Sequence, residues 1–433
     1  VGGARLVSLR PTAIEIEAKE GVPTVIRRAA RDYQLAYVGG VFAAHWLLVT
    51  IVAALATRFA YANPPVKALG WALPRLDGVS GLVVQPMRNW DGFWYSLIAE
   101  LGYVHSATTA FWPLYPWSMR FLGTLLVIPY ETAGYILSNV AFLIALVVLH
   151  RFVTENWGQD VARRTTPLLA FFPTAFFFTA VYSESFFLLF SVLAFSWARS
   201  GRWWLAGAAA LLAGLTRNVG VLLIVPLGIM FLRQYGPALR GRWLDRRAWP
   251  PQALALGLVP LGPLLYTLYL WREFGNPLIT LDAQKGWARI QAMPWTTFRM
   301  AFQQWQGDWL HALVSSPTWT TLTSYPVRMS FAEYESLDIA MTFIGIAMIV
   351  YTLRVLPIEY GAWVAIMFAL PLFSPSVIHP LMSIPRFLVV LFPLFIALGI
   401  LSRRRYVLPA ILVPSTLLMV LLVVQFSTWF WVS

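Results

Sequence analysis

Leu35-Ala36-Tyr37-Val38-Gly39-Gly40-Val41-Phe42-Ala43-Ala44-His45-Trp46-Leu47-Leu48-Val49-Thr50-Ile51-Val52-Ala53-Ala54-Leu55-Ala56 is an uncharged, predominantly apolar run. A bilayer core asks for about 20 such residues in a helix, so the run reads as a membrane span. Arg27, Arg28 and Arg31 precede it and predict a cytoplasmic N-terminal segment over residues 1–34, with the next loop outside. Ala60-Tyr61-Ala62 resembles a signal-peptidase site, but the charged lead is long and the run exceeds an ordinary signal core, so a retained anchor is expected.

The rest of the chain repeats that texture. Of 433 residues, 59% are hydrophobic and 12% charged, which excludes a soluble globule. Alternating ten-residue strands are missing and Leu, Ala, Phe and Val dominate, so an all-α polytopic membrane protein is expected rather than a barrel. Further spans are predicted over residues 133–150, 167–181, 185–198, 203–216, 219–232, 253–271, 337–353, 360–378, 387–401 and 406–430, giving about 11 (10–13) transmembrane helices. Arg151, Arg163 and Arg164, then Arg199 and Arg202, then the Arg233 to Arg247 group, then Arg403 to Arg405, all fall on the cytoplasmic side of that assignment. The formal charge of +13 is therefore read as topological, and nucleic acid is discounted as a partner. Cysteine is absent, which removes disulfides, thiolate metal sites and thiol nucleophiles together.

Outer loop 57–132 contains Arg88-Asn89-Trp90-Asp91-Gly92-Phe93-Trp94-Tyr95. Trp90, Trp94, Leu97 and Leu101 recur at helical spacing with Ser96 and Glu100 off the stripe, which predicts an interfacial amphipathic helix. Pro113, Pro116, Arg120 and Pro129 predict a bent, partly inserted segment over 110–130. Two long apolar stretches, 167–198 and 203–232, break at Ser183-Glu184-Ser185 and Thr216-Arg217-Asn218, both on the side of Asp91. Ionisable groups at that depth face a cavity or a partner. Outer loop 272–336 carries Trp287, Trp295, Trp305, Trp309 and Trp319, and a third outer segment runs from Ser374 to Arg386 through His379.

These residue types suit one chemistry. Sugar transfer outside the cytoplasm needs a donor on a polyprenyl phosphate, a carboxylate to take the acceptor's proton, cations for the leaving phosphate, and an apolar groove. A positioned Asp suffices as base when the acceptor bonds to an oxocarbenium-like carbon. Arg pairs with phosphate oxygens in a planar fork, so a divalent metal is not required. Asp91 is the candidate base, and Arg217 and Arg386 are the candidate phosphate ligands.

Trp90 to Tyr95 with Ile98-Ala99 and Gly102-Tyr103, then Phe111 to Pro116, Tyr182 to Ser185, and Gly214-Leu215-Thr216-Arg217-Asn218-Val219-Gly220 resemble the family of the GPI-anchor second mannosyltransferase and its bacterial relatives. Pro385-Arg386-Phe387 is a weaker echo. The resemblance implies the GT-C glycosyltransferase fold, transfer of mannose from polyprenyl phosphate mannose to a lipid or glycan hydroxyl with inversion, and an extracytoplasmic site with Asp91 as general base. It divides the chain into a catalytic module over 35–232 and a C-terminal transmembrane region over 233–433. Trp90, Tyr95, Tyr103, His105, Glu184, Asn218 and His379 join Arg217 and Arg386 as candidate substrate-binding residues. Thr216-Arg217-Asn218 departs from the Arg-Ser-Asn order of the eukaryotic proteins, and the compact, Arg-rich chain points to a bacterial plasma membrane and an acceptor other than a GPI precursor.

Plainer roles stand beside each assignment. Asn89 or Asp91 can cap a helix. Glu184 and Arg217 can lock two hairpins together. Arg386 can be a snorkelling anchor, and His105 and His379 interfacial hydrogen-bonding residues. A transporter or flippase is the competing function, though polar groups clustered on one side fit it poorly. A non-catalytic subunit is a third.

Overall fold

The computed structural model describes residues 24–60, 62, 65, 67–314 and 335–432, with the side chains of 24–31 and 308–314 left aside. The expected segment 1–23, Tyr61, Trp319 and the side chain of Trp309 lie outside the described residues.

The chain is built almost wholly of helices: α1 Thr24–Phe59, α2 Gly78–Val83, α3 Asp91–Leu101, α4 Leu114–Leu126, α5 Tyr130–Trp157, α6 Gln159–Ala170, α7 Glu184–Arg199, α8 Trp203–Thr216 and α9 Ile224–Leu239. There follow α10 Leu258–Phe274, α11 Ile279–Gly286, α12 Pro294–Val314, α13 Glu335–Val355, α14 Ile358–Leu372, α15 Ile384–Val389, α16 Phe392–Leu401 and α17 Val407–Ser427. A small hairpin, β1 Lys67–Ala68 and β2 Trp71–Ala72, decorates the connection between α1 and α2. Helices are what a bilayer permits, because each closes its own backbone hydrogen bonds. Among the described residues, six stretches are long and apolar enough to cross a membrane: Asp32–Phe59, Tyr130–Trp157, Asn218–Leu239, Pro251–Phe274, Glu335–Val355 and Val407–Ser427. Trp203–Thr216, Ile358–Leu372 and Phe392–Leu401 are apolar but shorter.

Several expected spans are not continuous α-helices: 360–378 leaves α14 at Leu372, and 219–232 opens with a 3-10 turn over Asn218–Leu223. Over 167–181 the chain leaves α6 after Pro167, passes Pro173, forms a 3-10 turn at Ala175–Phe178 and reaches α7 without a regular span. Pro interrupts the helical ladder, and irregular backbone is tolerated at depth only when protein surrounds it. That condition is met: Phe176, Phe177, Phe178 and Tyr182 are fully buried, Ser138 Oγ and Asn139 Nδ2 donate to the Tyr182 and Thr179 carbonyls, and the Val181 N–H reaches the Met87 carbonyl. Over 387–401 the chain breaks between α15 and α16 at Val390-Leu391, because Pro393 follows directly in the first turn of α16.

The helix of the Asp91 motif also differs from expectation. α3 buries Phe93, Tyr95, Ser96, Leu97, Ile98 and Ala99, while Leu101 is exposed. It is a packed helix, held between α4, α5 and the end of α17, and not an amphipathic stripe lying on the interface. The exposed apolar face belongs instead to α4, through Trp117, Phe121 and Leu125. The 110–130 segment bends ahead of α4 at Pro113 and after it at Val127.

Glycine sets the closest helix contact. A side chain at Gly207 would meet the carbonyl oxygen of Ala255, in the 3-10 turn ahead of α10, and one at Gly262 of α10 would lie 2.5 Å from the Leu211 carbonyl oxygen, so α8 packs nearly backbone to backbone against this segment. A side chain at Gly220 would collide with the backbone of Ala213 and Gly214. The motif's glycines thus let the chain fold back on α8 and leave Arg217, in extended conformation, at the turn.

Candidate functional site

Asp91, Glu184, Arg217 and Arg386 come from four separate segments and meet at one end of the bundle. Asp91 begins α3, and the residue before it, Trp90, holds the left-handed φ of 56°. Such a backbone costs about 1 to 3 kcal/mol and persists only when its surroundings enforce it. Here the Asn89 amide donates to the Phe426 and Ser427 carbonyls, the Trp90 indole to the Phe430 carbonyl, and the Asp91 N–H to the buried Tyr182 hydroxyl. Neither Asn89 nor Asp91 caps α3 through its side chain. Arg386 follows another left-handed residue, Ser383 at φ 71°, and Thr174 ties the adjacent Pro385 carbonyl to the buried segment before α7.

The charges form a chain of contacts. Arg386 Nη1 donates to Asp91 Oδ2 at 2.6 Å, with side chains 12% and 14% exposed. Arg386 Nε lies 3.2 Å from Glu184 Oε1, without hydrogen-bond geometry. Arg217 Nη1 donates to the same Glu184 oxygen at 2.5 Å, and Glu184 is 1% exposed. Glu184 thus sits between two guanidiniums and at the N-terminus of α7, where the helix dipole also favours a carboxylate. The lock between hairpins expected of Glu184 and Arg217 is present as a contact. Burial alone disfavours charge on Arg386, but Asp91 and Glu184 outweigh it and hold the guanidinium above its ordinary range. Its plane also packs 5.6 Å from the ring centroids of Phe177 and Tyr182.

Beside this network lies a cavity of about 220 Å³, with Glu184 behind its lining. Asp91, Arg217, Arg386 and Asn218 line it, together with Tyr95, Phe111, Trp112, Trp287 and Trp431. Tyr95 directs its hydroxyl to Ser183 Oγ at 2.8 Å, and Asn218 turns its oxygen to the Val219 N–H. The cavity draws on both the 35–232 and the 233–433 segments.

Four other expected residues stand apart from it. Tyr103 is buried and donates to the Phe111 carbonyl. Burial and the neighbouring Tyr266 push its hydroxyl well above the usual phenol range. His105 is exposed and caps a 3-10 turn by accepting from the Ala107 N–H. His379 Nδ1 lies 3.6 Å from Glu335. Trp90 backs the wall by packing edge-on against Trp431, centroids 5.0 Å apart, without lining the cavity itself.

Arg289 was not anticipated, and it lines the cavity. Strand-like pairing carries it there: the Ile290 and Ala292 N–H groups donate to the Pro375 and Phe373 carbonyls, and the Val377 N–H to the Ala288 carbonyl. Nothing in the sequence separates it from Arg272, Lys285 or Arg299 of the same loop. Trp431 was likewise unforeseen, since only the fold brings 428–432 back over the motif. Among the described residues, no three His, Asp or Glu side chains group as metal ligands.

Residues 56–240 match the family model described as mannosyltransferase (PIG-V). GPI mannosyltransferase 2 of Drosophila melanogaster is 32% identical over 126 residues, 26% of this chain and 27% of that protein. Its counterpart in Drosophila pseudoobscura pseudoobscura is 29% identical over 259 residues, covering 53% and 56%. GPI alpha-1,6-mannosyltransferase 2 of Mus musculus is 26% identical over 271 residues, covering 55% and 52%. The chain thus spans little more than half the length of these relatives at most, and all three are animal proteins, which lends no support to a bacterial origin. Among solved structures, an Archaeoglobus fulgidus oligosaccharyltransferase in complex with Zn and sulfate aligns with a TM-score of 0.42 at 14% identity, covering 89% of this chain and 53% of that one. ArnT from Cupriavidus metallidurans bound to undecaprenyl phosphate aligns at 0.37 and 13%, covering 89% and 76%.

Proposed function

We propose, from the match of residues 56–240 to the PIG-V mannosyltransferase family, that this chain is a membrane glycosyltransferase of GT-C type. In this reading it moves mannose from polyprenyl phosphate mannose to a lipid or glycan hydroxyl, on the extracytoplasmic side. The observation that carries the reading is a single cavity lined by Asp91 and by Arg217 and Arg386.

The chemistry follows from that juxtaposition. The acceptor oxygen bonds to the anomeric carbon as the bond from that carbon to the phosphate oxygen breaks. Asp91 takes the acceptor's proton, and polyprenyl phosphate leaves as a monoester. Attack opposite the leaving group inverts the anomeric centre. Arg386 and Arg217 oppose the charge developing on the phosphate, so the step is written without a metal. At rest Arg386 occupies Asp91; a donor phosphate competes for that guanidinium and releases the carboxylate to the acceptor. Tyr95, Phe111, Trp112, Trp287 and Trp431 offer aromatic faces against which a sugar ring can lie.

The test uses purified full-length chain, labelled polyprenyl phosphate mannose and membrane lipid extract as acceptor source. Wild type is expected to transfer label, and folded Asp91→Asn to lose about 10²- to 10⁴-fold in turnover, the usual worth of a general base. Undiminished transfer by Asp91→Asn would remove Asp91 from the mechanism, and no transfer by wild type with any extract would remove the enzyme.

A further inference from the structure

We propose that Arg289, on the second outer loop, is the primary ligand for the phosphate of the lipid-linked donor, and that Arg217 and Arg386 act on it only after giving up their carboxylates. The proposal rests on the donor reading above and names the group that makes first contact.

Counted at formal charge, the cavity network holds three guanidiniums, Arg217, Arg289 and Arg386, against two carboxylates, Asp91 and Glu184. Arg217 and Arg386 are already neutralised by those carboxylates at 2.5 and 2.6 Å. Among the described residues no carboxylate pairs with Arg289, and its Nη1 donates to the Ser374 carbonyl at 2.8 Å. A guanidinium carries five N–H donors, so most of its capacity is unspent. A cation left without a counter-charge in a part-buried cavity is costly, and an anion entering there relieves the cost. Burial and the nearby Arg386 push Arg289 down to about 10, against the pull of Asp91. It is therefore still charged at neutral pH and is close enough to sense both partners of the Asp91 ion pair.

The backbone around Arg289 is built to hold it in place. Residues 288–292 are zipped to 373–377 by three backbone hydrogen bonds. Those bonds and the Arg289 Nη1–Ser374 carbonyl bond hold the two segments together, and the other N–H groups of the guanidinium are left to serve a ligand. A phosphate monoester or diester fits its fork. Once bound, that phosphate lies in the cavity shared with Arg386 and can draw it from Asp91.

The experiment measures binding of undecaprenyl phosphate and of undecaprenol, the same tail without phosphate, to the purified full chain by quenching of tryptophan fluorescence. For Arg289→Met we expect about a tenfold weaker affinity for undecaprenyl phosphate, the size of one lost charge-assisted contact, with undecaprenol binding unchanged. Arg289→Lys, which keeps the charge and loses the fork, should recover part of the phosphate affinity. In transfer assays the loss should appear in KM for the donor more than in kcat. Equal phosphate affinity in wild type and Arg289→Met overturns the proposal. So does a parallel loss of phosphate and alcohol binding, which marks Arg289 as a strut for the loop. Failure of wild type to bind undecaprenyl phosphate at all would instead sink the donor reading on which the proposal stands.

Discussion

The Arg386–Asp91 and Arg233–Glu359 ion pairs both join segments far apart in sequence, and they sit at opposite ends of the bundle. Arg386 meets Asp91 at 2.6 Å at the cavity end, and Arg233 meets Glu359 at 2.6 Å where α9 runs out and α14 begins. The second pair is balanced: one cation and one carboxylate, with Glu359 at 2% exposure and Arg233 at 35%, able to reach water. The first belongs to a network with one more cation than carboxylate, and it borders a cavity. Both tie distant segments together, but of the two only the first borders the cavity described above. Charge surplus next to open space, rather than the ion pair itself, is what marks the site.

Mutations at the two ends should separate those roles. The largest contrast is in turnover: Glu359→Gln is expected to leave transfer per folded molecule unchanged, where Asp91→Asn loses at least about a hundredfold. A comparable loss in Glu359→Gln would mean that the two ends are coupled and the comparison is mistaken. Stability should show the next effect. Glu184→Gln leaves Arg217 and Arg386 both deprived of a shared, fully buried carboxylate, and removing one partner of a buried pair costs about 3 to 5 kcal/mol. Glu359→Gln should cost less, about 1 to 2 kcal/mol, because Arg233 can turn outward. Thermal melts of the two variants in one detergent test the ranking, and the reverse order would show that Glu184 is not compensating two charges. The smallest effect is reserved for Arg151→Ala, whose partner Glu155 lies four residues along α5 with both side chains mostly exposed. A melt shifted by more than the equivalent of about 0.5 kcal/mol would be unexpected for such a pair.

Much of the site could be read from the sequence, and the parts that could not share a cause. Glu184 and Arg217 stood out because each interrupts an apolar run, a signal that hydropathy carries directly. Asp91 stood out as a carboxylate among aromatics in an outer loop. Arg386 was nominated from its position in the third outer segment, and the fold brings it to Asp91. Arg289 had no such contrast: it lies in a polar loop among other basic residues, and only the pairing of 288–292 with 373–377 carries it to the cavity. Trp431 is similar, since its place depends on the Asn89 and Trp90 bonds to the end of α17. Tyr103, His105 and His379 were nominated by type and neighbourhood, and packing took each elsewhere.

The sequence alone determined that this chain is helical and belongs in a membrane, because hydrophobic length and the basic loops state both conditions residue by residue. It also determined which two breaks in the apolar pattern hold charge. Only the tertiary structure decided where helices stop within apolar runs, as at 171–183 and 390–391, because irregular backbone is stable there only when other parts of the chain bury it and satisfy its hydrogen bonds. It likewise decided the charge balance of the cavity, for a surplus cation is a property of neighbours in space, which local pattern does not record.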